Sequence, residues 1–180
     1  SWLPKYTEEE PEEDVIDLPD RLMSRADAGQ HVKDLQRQSV KVGQELRNRA
    51  EMSSIGLDHG AEFDGGDNDN FVRTSRVQGE LFVRMGFLIR AWRRRYGSVV
   101  EHSYFGPVLF LFKYDGGGKI EVGHSDMIAL TDTSVTAGKS KRRALGAACR
   151  WEFTLKTSRK KYLLATSDPT SRDLWMKHLS

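Results

Sequence analysis

The sequence predicts a mainly β protein with an α-helix at either end, and three observations lead there. From Val77 onward apolar and polar residues alternate in short runs, separated by turn material such as Asp115-Gly116-Gly117-Gly118 and Thr157-Ser158; a period of two is that of strands. Ahead of that region Leu22, Ala28, Val32, Leu35, Ser39, Val42 and Leu46 fall mostly three or four apart. Lys33, Arg37, Lys41 and Arg47 lie on the other faces, as an amphipathic helix requires. At the far end Asp168 is placed to cap a helix and Pro169 suits its first turn. Leu174, Trp175 and Leu179 then form the expected apolar stripe.

In chain order, residues 1–19 hold the run Thr7-Glu-Glu-Glu-Pro-Glu-Glu-Asp14, too acidic and too poor in apolar residues to pack, and are expected to be an extended, disordered leader. Residues 20–55 form the amphipathic helical extension. Its 28-32-35-39-42-46 spacing also fits a coiled coil, but Ala28 and Ser39 occupy two of those positions, which favours a helix docked on its own domain. Residues 56–76, rich in Gly, Asp and Asn, read as a flexible linker. The β domain occupies 77–180, with seven strands expected near 79–85, 91–101, 107–114, 119–123, 127–136, 150–156 and 160–166.

A chain of 180 residues with 38% apolar content can bury one core, and no apolar run approaches the ~18 residues of a membrane-spanning helix. The single Cys149 excludes an internal disulfide. With no Asn-x-Ser/Thr acceptor either, the chain is expected in the cytoplasm. The net charge of +2 hides a division: residues 1–75 carry 9 Lys and Arg against 17 Asp and Glu, while residues 76–180 carry 19 against 9. A basic domain behind an acidic leader points to a polyanionic partner for the one, and to solvation or masking by the other.

The basic charge is densest in Gly79–Tyr96. Two strand-like runs there flank a short loop centred on Phe87-Leu88-Ile89. Alternation sends Arg93 and Arg95 to one face and Trp92, Arg94 and Tyr96 to the other, so two guanidiniums face one ligand and are expected to project into solvent. Arg84 leaves the first strand and Arg90 re-enters from the loop, so up to four cations are expected to converge on one phosphate through forked hydrogen bonds. Three consecutive apolar residues leave at least one exposed by alternation, and a tip of that kind suits insertion into a lipid interface.

Several short motifs in this region resemble the pleckstrin homology (PH) family. Gly79-Glu-Leu81 resembles its first-strand Gly-x-Leu, Trp92-Arg93-Arg94-Arg95-Tyr96 its Trp-Lys-x-Arg-aromatic second strand, and Val108-Leu-Phe110-Leu-Phe112 its aromatic third. Phe153-Thr-Leu155, Tyr162-Leu-Leu-Ala165 and Trp175 are similar to its later strand motifs and helical tryptophan. The resemblance covers 77–180 and implies a seven-stranded, partly open β-barrel capped by the C-terminal helix, with Trp175 in the core. It implies a non-catalytic module that grips phosphoinositide phosphates through Arg84, Arg93 and Arg95. A third-strand tyrosine that bonds phosphate in many such domains is replaced here by Phe110, Leu111 or Phe112. Lys113 and Lys119 are the cations placed to compensate, and phosphatidic acid gains ground over a polyphosphorylated ring. Small size and a helical leader are also similar to the acylated PH proteins of apicomplexan parasites, which are implied to sense that lipid.

Other patterns carry less. Asp64-Gly-Gly-Asp67-Asn-Asp69-Asn resembles a calcium loop, but its twelfth residue is Ser75 or Gln78 where a bidentate glutamate is required. Gly138-Lys139-Ser140 lacks the earlier glycine of a nucleotide-binding loop, whose place Thr133 takes. Lys139, Lys141, Arg142 and Arg143 form a basic loop, read as a secondary contact for anionic lipid. His31, His59, His102, His124 and His178 show no metal-ligand spacing, and no paired carboxylates or Ser-His-Asp set suggest an enzyme. No metal or cofactor is expected. The function expected is reversible recruitment to a membrane surface through an anionic phospholipid, phosphatidic acid or a phosphoinositide. The alternative is a scaffold domain whose N-terminal helix or barrel groove binds a protein partner. Nucleic acid is disfavoured, since no stacking ladder or recognition helix accompanies the charge.

Overall fold

The computed structural model describes residues 14–18, 25–54, 76–85, 91–138 and 150–180. Strand β1 (Ile16–Asp17) precedes helix α1 (Arg25–Ser54). Strands β2 (Val77–Met85), β3 (Ala91–His102), β4 (Gly106–Tyr114), β5 (Ile120–Ala129), β6 (Ser134–Ala137), β7 (Trp151–Lys156) and β8 (Lys161–Thr166) follow, and helix α2 (Pro169–Leu179) ends the chain. The sheet order is β1-β5-β4-β3-β2-β8-β7-β6, antiparallel throughout except that β1 runs parallel to β5. It is a partly open sheet with α2 against its inner side.

One predicted break is absent. The two strands expected at 119–123 and 127–136 are a continuous β5 and a separate β6. What reads as a strand end at Gly123 is a bulge: the β4 partners jump from Phe112–Ser125 to Tyr114–Ile120, and Gly123 takes φ +105° within it. The true stop lies later, at Thr131-Asp132, where Asp132 adopts φ 59°.

Alternation along β3, β4 and β5 divides the apolar residues between two cores. The inner one joins Leu81, Val83, Val99, Leu109, Leu111, Ile128, Phe153, Leu155 and Leu164 to Trp175 and Leu179 of α2. Gly97 lets Trp175 in: a Cβ there would stand 2.7 Å from the indole and 2.8 Å from Leu81. Leu174 departs from the predicted stripe and is 49% exposed. Trp175 and Leu179, one turn apart, define the buried face, and the residue before Trp175 lies about 100° round the helix from it. Asp168 caps α2 as expected, accepting from the Ser171 amide at 2.7 Å.

The outer core is made by α1. Leu35, Val42 and Leu46 pack on Val100, Val108, Phe110, Phe112 and Met127. The helix therefore docks on its own domain, with Ser39 hydrogen-bonded to Ser125 inside the contact and Gly43 placed so that a Cβ there would stand 3.0 Å from the Phe112 ring. Residues 14–18 fall within the expected leader and are extended, yet they are held. Met127 donates to the Val15 carbonyl at 2.7 Å, Asp17 accepts from Thr157 and Tyr162, and Leu18 enters the outer core.

Candidate functional site

The site is built on the β2–β3 ladder. Val83 lies opposite Arg93 and Leu81 opposite Arg95, while Arg84 lies opposite Trp92 and Phe82 opposite Arg94. Directly opposed residues share a face. Arg93 and Arg95 therefore stand on the inner face with Val83 and Leu81, and Arg84 on the outer face with Trp92 and Arg94. The expected convergence of Arg84 with Arg93 and Arg95 does not occur, because an even-numbered and an odd-numbered partner row cannot meet across one pleated ladder.

On the inner face Arg93 is exposed, but Arg95 is only 5% exposed, contrary to the expectation that both project into solvent. Arg95 sits two residues before Gly97, whose row continues through Leu111 to Asp126, on the same inner face. Its Nη1 donates to the Arg94 carbonyl at 3.2 Å. Asp126 is buried nearby, and burial pushes its carboxyl up from the usual range. The Val15 amide, donating at 2.8 Å, and the charges of Arg95 and Lys113 oppose that rise. Lys113 is half-buried and pairs with Asp14 at 3.1 Å, and His124 Nδ1 lies 3.4 Å from the other Asp14 oxygen. The inner mouth thus gathers two predicted residues, Arg95 and Lys113, with two carboxylates, Asp14 and Asp126, while Arg93 lies on the same face nearer the β2–β3 end.

Lys119 is used differently. It bonds Glu51 at 3.0 Å and so clamps the last turns of α1 to the β4–β5 turn; that bond is the main reason the Glu51 carboxyl lies below its ordinary range. On the outer face Arg94 bonds Glu80 and lies 4.6 Å from the Tyr114 ring centroid. Arg150 lies over Phe82 at 4.9 Å and Trp92 at 5.6 Å. Among the described residues no ion pair engages Arg84. Phe87, Leu88, Ile89 and Arg90, with Lys139, Lys141, Arg142 and Arg143, lie outside the described residues.

Sequence reading missed Asp14, Asp126 and Arg150. Asp126 carries a signal in its spacing, since it falls two and four residues before Ile128 and Leu130, which places a carboxylate on the inner row. Asp14 and Arg150 have none, because each reaches its neighbours across the sheet order. Among the described residues, no helix is long and apolar enough to cross a membrane.

Neither a family model nor a curated protein matches this chain. Among solved structures it is similar to the C-terminal PH domain of pleckstrin in complex with D-myo-Ins(1,2,3,5,6)P5, at 21% identity and TM-score 0.44, over 58% of this chain and 91% of that one. It is similar to the Slm1 PH domain in complex with phosphoserine, at 21% identity and TM-score 0.43, over 60% and 94%. The tandem PX-PH domains of Bem3 from Saccharomyces cerevisiae match at 20% identity and TM-score 0.39, over 94% of this chain and 70% of that one.

Proposed function

We propose that this protein binds the head group of an anionic phospholipid at the β2–β3 end of its barrel and so associates reversibly with a membrane surface. The observation that carries the reading is the set Arg84, Arg93 and Arg94. These three exposed guanidiniums lie on the paired strand ends, on both faces of a hairpin whose connecting sequence is Gly86-Phe-Leu-Ile-Arg90. A flat anionic leaflet meets both sides of such an end at once. Each basic residue near that leaflet contributes about 1 kcal/mol, and each buried CH₂ of the connecting residues about 0.8, so neither contribution alone anchors firmly.

Charge at the inner mouth favours a compact ligand. Lys113 is paired with Asp14, and Asp126 is buried beside Arg95 and Lys113, so two carboxylates already stand at the inner mouth. A phosphomonoester such as the head group of phosphatidic acid meets less repulsion there than a ring bearing several phosphates. The rival reading, a protein scaffold using α1, has less to work with because the helix's apolar face is already spent on the sheet.

Co-sedimentation with vesicles tests the proposal. Phosphatidylcholine vesicles carrying phosphatidic acid should bind the chain and pure phosphatidylcholine should not, with binding weakened by salt. Arg84→Ala combined with Arg93→Ala should cost tenfold or more in affinity while the melting temperature stays within a degree or two. Equal binding to anionic and zwitterionic vesicles would refute the reading, and phosphoinositide vesicles outcompeting phosphatidic acid would overturn the choice of lipid.

A further inference from the structure

We infer that Asp14 is an internal stand-in for the ligand's phosphate, so that strand β1 holds the inner mouth closed until an anionic head group displaces it. The inference rests on the lipid reading above and adds its regulation. Four observations meet at one place. Asp14 offers a carboxylate to Lys113 at 3.1 Å, a geometry that a phosphate oxygen would also satisfy. The contact is partly sheltered, with side-chain exposures of 14% for Lys113 and 26% for Asp14, so water competes with it less than at a surface ion pair.

The strand that delivers Asp14 has a very small purchase on the sheet. Only Ile16–Asp17 form β1, attached to the edge of β5 by the parallel pairs Ile16–Met127 and Asp17–Ile128. Two links hold the next residue, Val15: its amide donates to the Asp126 carboxylate at 2.8 Å and its carbonyl accepts from the Met127 amide at 2.7 Å. Finally, the hydrogen bond from Val15 partly holds Asp126 charged against its burial. A phosphate that took Asp14's place on Lys113 would push away both carboxylates, and releasing Val15 would let Asp126 take up a proton. Ligand entry and strand release are thereby one event. The anchors that remain are Asp17, held by Thr157 and Tyr162, and Leu18, buried in the outer core, so the strand swings from that point rather than leaving the domain.

The experiment uses the full chain and vesicles of phosphatidylcholine with phosphatidic acid. Asp14→Asn keeps the side chain's size and removes its charge; Asp173→Asn, on α2, makes the same change in net charge away from the mouth. Expected are a five- to tenfold gain in affinity for Asp14→Asn and less than a twofold gain for Asp173→Asn. In the parent chain, dioctanoyl phosphatidic acid should speed hydrogen exchange at the Met127 amide severalfold, and dioctanoyl phosphatidylcholine should leave it unchanged. If parent and Asp14→Asn bind equally, or both Asn variants gain alike, the internal stand-in is refuted while the lipid reading survives. Unchanged Met127 exchange at saturating phosphatidic acid refutes strand release. If neither parent nor variant binds anionic vesicles, both the lipid reading and this inference fall together.

Discussion

The two faces of the β3–β4–β5 sheet carry similar side chains into opposite circumstances. On the inner face Arg95 is buried beside Asp126, with Lys113 and Asp14 completing a sheltered cluster of charge. On the outer face Arg94, its immediate neighbour in sequence, lies in the open with Glu80 and Tyr114, and below it α1 seals a mainly apolar contact around Phe110 and Phe112. One residue of sequence separates a cation whose loss leaves a buried carboxylate short of a partner from one whose loss is absorbed by water. Burial, not residue type, decides what an arginine is worth.

The largest test of that contrast is a pair of substitutions. Arg95→Ala should cost about 3 kcal/mol of unfolding free energy in urea titration, because Asp126 is then left buried with less compensation. Arg94→Ala should cost under about 0.5 kcal/mol, the ordinary worth of an exposed pair. Similar losses for the two would show that the faces do not differ as described. An experiment aimed at lipid binding should therefore pair Arg93 with Arg84, since removing Arg95 confounds binding with stability.

The glycines give a second, smaller contrast. Gly97→Ala drives a methyl to 2.7 Å from Trp175 and 2.8 Å from Leu81 in the inner core, and should cost about 2 kcal/mol through overpacking. On the outer side Gly43→Ala meets the Phe112 ring edge at 3.0 Å, while alanine in a helix interior regains about 1 kcal/mol of propensity. The net change there should be within about 0.5 kcal/mol of zero. A Gly43→Ala loss as large as that of Gly97→Ala would mean that α1 is packed as tightly as the barrel.

The smallest effect expected is in pH dependence, and the two faces should respond with opposite sign. On the outer side His102 is buried, its Nδ1 accepting from the Tyr104 and Phe105 amides at 3.1 and 3.3 Å, with His31 of α1 stacked on Tyr104. Burial, then the nearby His31, lowers its pKa below 6.5, with Asp34 opposing. The unfolded chain then binds the proton first, so stability from this group is full above pH 6.5 and is lost as pH falls below it. Melting temperatures should drop between pH 7.5 and 5.5, and His102→Gln should flatten the profile. On the inner side the Asp126 pKa is raised, so as pH falls through that raised value the folded state takes up the proton first and gains stability until pH reaches 3.8. Asp126→Asn should remove that gain.

Much of this was legible beforehand, and the failures share a cause. The helix seam Leu35, Ser39, Val42 and Leu46 and the Asp168 cap are set by spacings within one element and lie where those spacings put them, while Trp175 is buried as the family resemblance implied and Leu174 of the same expected stripe is exposed. The run Trp92–Tyr96 likewise alternates as a strand must. Its period, however, says only that Arg93 and Arg95 share a face, not that this face is the inner one, and so not that Arg95 is buried.

Local pattern placed both helices and most strands, because backbone period and capping act over one or two turns, but not β1 or the unbroken run of β5. The same pattern showed that cations crowd one hairpin. Which of those cations meet was set by packing across the sheet. Arg84 parted from Arg93 and Arg95 when the register of β2 on β3 was fixed, and Lys119 was drawn to Glu51 at the end of α1. Asp14 reached Lys113 from 99 residues away because an edge strand adds itself to β5. Charge acts through space, and its partners across a sheet are set by strand order, to which spacing along the chain is blind.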